Sequence, residues 1–293
     1  MMLTKAYVLL CMATSIFPAP VSTSKFYGAK PIDSVWEVTV DAPIECRIEH
    51  MIPNYGIATF TSHASKKSNL YFELEMLRPM GKTADVVLLS MPPVWMPGEP
   101  SEYLDRLHFF KQFDGYIHGK TAWSILAELE KGRFPTFSFH EWKNRDKRVD
   151  VALSAVSFQL PYTEFSGCIS RLLPYSFEDI AFTTLHYQDS SANLNKSSMR
   201  KLSQIAEFIR YSPDIDLVFL ATYTDTHGAR SANQRMSEVR SRKLEEYFMS
   251  LGLPNDRIEV KSFGERRPIA ENKSPIGRNK NRRVVISLGR SMS

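Results

Sequence analysis

The chain has 293 residues, 43% hydrophobic and 24% charged, which is enough apolar material for two ordinary cores and unlike a disordered or fibrous chain. Its formal net charge of +5 favours an acidic or polyanionic neighbour only weakly, because charges of this size are common on soluble domains.

The opening residues, MMLTKAYVLLCMATSIFPAPVSTS, set Lys5 ahead of the apolar run Ala6 to Phe17 and close on small residues. That layout predicts a secretory signal peptide over residues 1–21, with Ala19 and Val21 before the cut; cleavage after Thr23 or Ser24 is the alternative. The run is too short to span a bilayer comfortably and no later stretch is apolar for long enough. The mature chain is therefore expected to be exported, soluble and free of integral membrane segments. Export argues against nucleic acid as the partner of the positive charge. Cys11 falls inside the signal, leaving Cys46 and Cys168 in an oxidising compartment. An even count there points to a disulfide, with two buried free thiols as the alternative.

Residues 22–173 read as a β-rich domain. WEVTV from Trp36, IECRI from Ile44, LYFELEM from Leu70 and DVVLLSM from Asp85 are short, rich in β-branched or aromatic residues, and separated by turn-forming stretches such as PNYG and RPMGK. FPTFSFHEW and VDVALSAVSF flank the charged turn KNRDKR. With one helix over 122–130, an antiparallel sandwich or barrel is expected. GYIHGKT from Gly115 looks like a phosphate-binding loop, but it has three residues between its glycines where the motif needs four, so a turn before a helix is expected. HExxH, CxxC and GxSxG do not occur and the seven histidines have no ligand spacing, so no catalytic residue, metal or cofactor is expected.

Residues 174–293 change character. IAFTTLHY reads as a strand, NKSSMRKLSQIAEFI as a helix with Met199, Leu202, Ile205, Ala206 and Ile209 on one face, and DIDLVFLATYT as a second strand. A long helix follows, then the strands RIEVKSFG and RRVVISL, giving a compact α/β domain. On the long helix Met236, Leu244, Tyr247, Phe248 and Leu251 share a stripe with Asn233, Ser237 and Arg240. The core-facing side thus turns polar close to the strand end that carries Thr224 and Asp225. Two readings stand. Asp225 caps a turn while Arg240 pairs with it or with another acid; or Asp225 receives a ligand ammonium and Arg240 grips a carboxylate.

TYTDTHG from Thr222, then Asn233, MSEVRS from Met236, SFGERRP from Ser262 and GRNKNRRV from Gly277 together resemble the OmpA-like peptidoglycan-binding domain, over roughly residues 175–289. That family typically reads GHTDxxG, N, LSxxRA, GxGExxP and NRRV in this order. Here Thr222 and Tyr223 replace Gly-His, Met236 replaces Leu, Ser241 replaces Ala and Ser262 replaces Gly. The resemblance implies that Asp225 binds the ammonium and Arg240 a carboxylate of diaminopimelate in the wall peptide, with Thr224 beside them and Asn233 and Arg283 supporting. The basic stretch from Arg266 to Arg283 is read as a solvated face, with contact to an anionic wall as the alternative.

Signal peptide, β-rich first domain with a cysteine near each end, and OmpA-like second domain together resemble the periplasmic T-ring proteins of sodium-driven polar flagellar motors. By that resemblance the first domain docks on the flagellar basal body and on MotX, the second holds peptidoglycan, and the ring supports the PomA/PomB stator. A general envelope tether unrelated to flagella is the alternative.

Overall fold

The computed structural model describes residues 24–93, 95–141, 143–189 and 191–291, and the signal-peptide reading lies outside them. In chain order the first part contains β1 (Ser24–Tyr27), β2 (Trp36–Ala42), β3 (Glu45–Ile52), β4 (Gly56–His63), β5 (Tyr71–Met76), β6 (Ala84–Met91), β7 (Glu102–Phe109), β8 (Gly115–His118), α1 (Lys120–Glu130), β9 (Phe134–Glu141), β10 (Asn144–Ala152) and α2 (Gln159–Ser170). Alternation drives the strands: Cys46, Ile48, His50 and Ile52 of β3 and Ala58, Phe60 and Ser62 of β4 are buried, while most residues between them are partly exposed.

Two five-stranded sheets result, ordered β2-β3-β4-β5-β8 and β1-β10-β9-β6-β7, antiparallel except for the parallel β1–β10 pair. They enclose one apolar core in which Phe72 of one sheet stacks on Phe137 of the other, ring centroids 5.4 Å apart. GYIHGKT forms β8, a tight turn at Gly119 (φ 66°) and the start of α1. The charged segment KNRDKR differs from the expected turn. From Asn144 it is already strand, with a register shift between Asn144 and Arg148 that absorbs the extra residues as a bulge. Helix α2 packs on β2 and β3, and the Cys46–Cys168 disulfide joins it to β3 with a Cα–Cα distance of 5.9 Å.

The second part contains α3 (Phe177–Ile180), β11 (Phe182–His186), α4 (Lys196–Tyr211), β12 (Ile215–Thr222), α5 (Arg230–Ser250), β13 (Ile258–Ser262), α6 (Pro275–Asn281) and β14 (Arg283–Arg290). Its sheet is ordered β11-β14-β12-β13, with β12 parallel to β13 and β14 antiparallel to both β11 and β12. Leu202, Ile205 and Phe208 of α4 and Leu244 and Phe248 of α5 close a second core over the sheet. Asn195 starts α4 by accepting the Ser198 N–H at 2.8 Å, the cap that its short polar side chain favours.

Where the two parts meet, Ala64 and Ile44, from one end of the first sheet, join the second core, and Leu173 exchanges backbone hydrogen bonds with Pro43 (2.8 Å) and Ser65 (3.1 Å). Lys66 pairs with Asp179 across the junction. The start of β12 and the end of β14 lie here too, tied by Asp214 and Arg290 at 3.1 Å. The other end of β12, carrying Thr222 toward Asp225, therefore points away from the first part, roughly 23 Å distant at about 3.3 Å per residue.

Candidate functional site

Strand β12 leaves its sheet between two neighbours. The Tyr223 N–H donates to the Arg283 carbonyl at 2.9 Å and the Thr224 N–H to the Gly264 carbonyl at 2.7 Å, which fixes the direction in which Asp225 emerges. Asp225 is buried. Its Oδ1 accepts the His227 N–H at 3.0 Å, an Asx turn, and its Oδ2 accepts from Arg282 Nη1 at 2.6 Å.

Arg282 stands at the end of α6, whose placement is specified locally. Gly277 of α6 lies so close to Glu271 that a Cβ there would sit 1.9 Å from its carbonyl oxygen. The buried Asn281 accepts the Ile269 and Ala270 N–H groups (2.9 and 3.1 Å) and donates to the Ala270 carbonyl (2.8 Å) and to Asn272 (2.9 Å). Asn272 in turn accepts the Thr226 N–H at 3.3 Å, so the loop beside Asp225 and the helix carrying Arg282 are one hydrogen-bonded frame.

Arg240 comes from the middle of α5 and is 1% exposed. Its Nε and Nη2 both donate to the Ser191 carbonyl (3.0 and 2.6 Å), its Nη1 donates to the Tyr223 carbonyl at 3.4 Å, and its guanidinium lies 4.2 Å from the centroid of the Tyr187 ring. Burial pushes its pKa below the usual arginine range, and Tyr187 and Asp225 act in the opposite direction. Among the described residues it makes no ion pair. Asp225, the one buried carboxylate here, is already taken by Arg282, whose second acidic neighbour, Asp189 at 3.2 Å, is exposed.

Further unmet capacity surrounds these charges. Arg282 Nε, Thr224 Oγ1 and the Tyr187 hydroxyl are buried without a hydrogen-bond partner among the described residues. Arg240 and Tyr187 line a cavity of about 370 Å³ between α4, α5 and the 187–194 loop. Asp225, Thr224, Asn233 and Arg283 do not line it.

Of the sequence-predicted residues, Asp225, Thr224 and Arg240 are gathered around Tyr223. Asn233 lies on the first turn of α5 and donates to Glu265 at 2.9 Å. Arg283 lies over the Tyr223 ring, 3.8 Å from its centroid, and donates to the Arg267 carbonyl at 3.2 Å. Tyr223 itself stacks on Phe263 with centroids 5.0 Å apart. Sequence reasoning passed over Arg282 and Tyr187. The adjacent arginines of NRRV are the signal that could have found the first, since consecutive residues entering a strand face opposite ways.

Residues 27–174 match the family model of the MotY N-terminal domain, and residues 186–282 that of the OmpA family. The sodium-type flagellar protein MotY of Vibrio parahaemolyticus is 58% identical over 267 residues, 91% of each chain. The chain belongs to the MotY family. Other relatives match a smaller share of the chain. The outer-membrane lipoprotein YfiB of Pseudomonas aeruginosa is 40% identical over 32% of this chain and 55% of its own, and the peptidoglycan-associated lipoprotein of the same organism 28% identical over 49% and 84%.

Proposed function

We propose that this protein is a non-enzymatic periplasmic component of the sodium-driven flagellar motor, linking the basal body to peptidoglycan. Residues 22–173 form the motor-side domain, which meets the basal body and MotX, and residues 174–293 hold the wall; the assembled ring supports the PomA/PomB stator. The observation that carries the wall-binding role is a charge imbalance. Of two buried arginines, Arg282 pairs with the one buried carboxylate, Asp225, while Arg240, which lines a cavity, makes no ion pair among the described residues. A buried cation without a counter-charge is costly, and an incoming carboxylate removes that cost. Asp225 beside it accepts an ammonium through lone pairs that His227 and Arg282 leave free. Diaminopimelate, which carries both groups on its side chain, satisfies both positions.

Charge-assisted hydrogen bonds contribute about 1.5 to 3 kcal/mol each, so a single copy holds a wall peptide weakly and a ring of copies holds it through effective concentration. Sedimentation with purified peptidoglycan tests this reading. Asp225→Asn and Arg240→Ala variants with native circular dichroism are expected to pellet about tenfold less than wild type, the loss of roughly one such contact. Equal pelleting by folded variants would overturn the assignment.

A further inference from the structure

The first domain has a second recess, at the end of its sandwich remote from the OmpA-like domain. Its walls are the β3–β4 turn at Asn54 and Tyr55, the 77–82 connection from β5 to β6, and the end of the β9–β10 hairpin, around a volume of about 640 Å³. Strands β3 and β4 run from the interdomain junction at Ile44 and Ala64 to this end, about 25 Å at some 3.4 Å per residue. The recess and the Asp225–Arg240 site therefore occupy opposite poles of the molecule.

Its chemistry is two-layered. Tyr27, Met76, Met80 and Phe139 make an apolar floor, and the Tyr27 and Tyr55 rings lie 5.2 Å apart. The Tyr55 hydroxyl is buried with no partner among the described residues, and burial, helped by Tyr27, raises its pKa, so it stays a neutral donor. Around the mouth stand Lys25, Arg78 and Lys82; Glu141, which Lys25 pairs with at 3.4 Å, is the carboxylate of the lining, and Asp114, whose Oδ1 accepts the Met76 N–H at 2.9 Å, is a second one near Tyr55. Arg78 and Lys82 are exposed and make no ion pair among the described residues.

We propose that this recess grips the motor-side partner, receiving an acidic segment of a flagellar protein whose bulky apolar side chain enters between the sheets. The carboxylates of that segment meet Arg78 and Lys82, and a carbonyl or carboxylate oxygen accepts from Tyr55. A basic segment is repelled by the rim, and a small polar anion leaves the floor unfilled. Membrane surfaces are usually met by apolar groups that project beyond the charges; here the floor lies behind them, which suits a side chain reaching in. The proposal rests on the wall-to-motor reading above.

The test is co-sedimentation of the full mature chain with basal bodies purified from cells lacking this protein. An Arg78→Glu, Lys82→Glu double variant is expected to bind about tenfold less, and added salt to weaken the wild type in the same direction, since both act on rim charges. Tyr55→Phe, which removes only the hydroxyl, is expected to bind about threefold less. All are expected to keep native circular dichroism and wild-type sedimentation with peptidoglycan. Undiminished basal-body binding by the folded double variant would overturn the proposal and leave the tether reading standing; no binding by wild type would overturn both. Wild-type pelleting with phosphatidylglycerol vesicles, abolished in the double variant, would assign the recess to a membrane and also overturn it.

Discussion

Arg240 has exchanged water for two carbonyl oxygens and an aromatic face, an arrangement that uses the flat guanidinium fork. Arg240→Lys keeps the charge but can neither grip Ser191 with two donors nor lie flat on Tyr187, so wall binding is expected to fall about tenfold in the sedimentation assay with the fold intact. Arg282→Ala acts differently. It strips a buried carboxylate of its partner, and urea denaturation is expected to show a loss of about 3 to 5 kcal/mol. His50 is a third case. Its Nδ1 contacts the Val35 carbonyl at 2.7 Å, its Nε2 accepts the Ser154 N–H at 3.4 Å and its ring stacks on Trp36 at 4.5 Å, a set that fits the neutral ring. Burial lowers its pKa below that of an unfolded histidine. The unfolded chain therefore takes up the proton first as pH falls through about 6.5, so stability is full above that value and declines below it. The thermal midpoint is expected to drop between pH 7.5 and 5, and His50→Gln to flatten the drop. At this scale the sequence made Asp225 and Arg240 legible because each sits in a motif with fixed spacing. Which of Arg282 and Arg283 turns toward Asp225 is set by the backbone where α6 ends, at Arg282 φ −73° and ψ 76°, and no spacing encodes that.

Helix α5 buries Asn233, Ser237, Arg240, Ser241, Leu244 and Phe248, most of the stripe that 3.6-residue periodicity draws, with Ser241 added and Met236, Tyr247 and Leu251 only partly covered. The departures from the usual OmpA-like pattern explain each other here. Thr222 Oγ1 lies 2.6 Å from Ser241 Oγ, which lies 2.8 Å from Ser262 Oγ, so a threonine and two serines standing where glycine, alanine and glycine are usual form one hydroxyl chain from β12 through α5 to β13. Ser241→Ala breaks both links and is expected to cost about 1 to 3 kcal/mol by urea denaturation. Restoring all three usual residues is expected to cost less than the single changes summed, because the orphaned hydroxyls leave together. Strands with clean alternation, such as β3 and β5, were legible in the sequence. Helix α2 was not: QLPYTEFSGCIS carries Pro161 and Gly167, which propensity reads as breakers, yet Pro161 falls in the first turn, where its missing N–H is not needed.

At the scale of the whole molecule, the paired cysteines closed on each other as their even number in an exported chain suggested. Their sequence separation of 122 gives a loop whose closure contributes about 4 to 5 kcal/mol in the chain-entropy account. Cys46→Ser is expected to lower the calorimetric transition of the first domain and leave that of the OmpA-like domain in place. What the sequence did not carry is the arrangement of poles, because it depends on which strand ends meet at the junction, and turn positions alone do not say which ends those are. The same disulfide takes on another meaning once the molecule is held at both ends. Followed along the backbone, tension from the second domain passes through Leu173 into α2, in parallel with the junction bonds from Leu173 to Pro43 and Ser65, and a helix lying on a sheet peels away contact by contact. The bond from Cys168 to Cys46 transfers that pull directly to β3, an inner strand whose backbone hydrogen bonds to β2 and β4 run across its axis. Pulled along its length, such a strand resists in shear, with its bonds strained together, so the oxidised protein holds under force where the reduced one would unpeel.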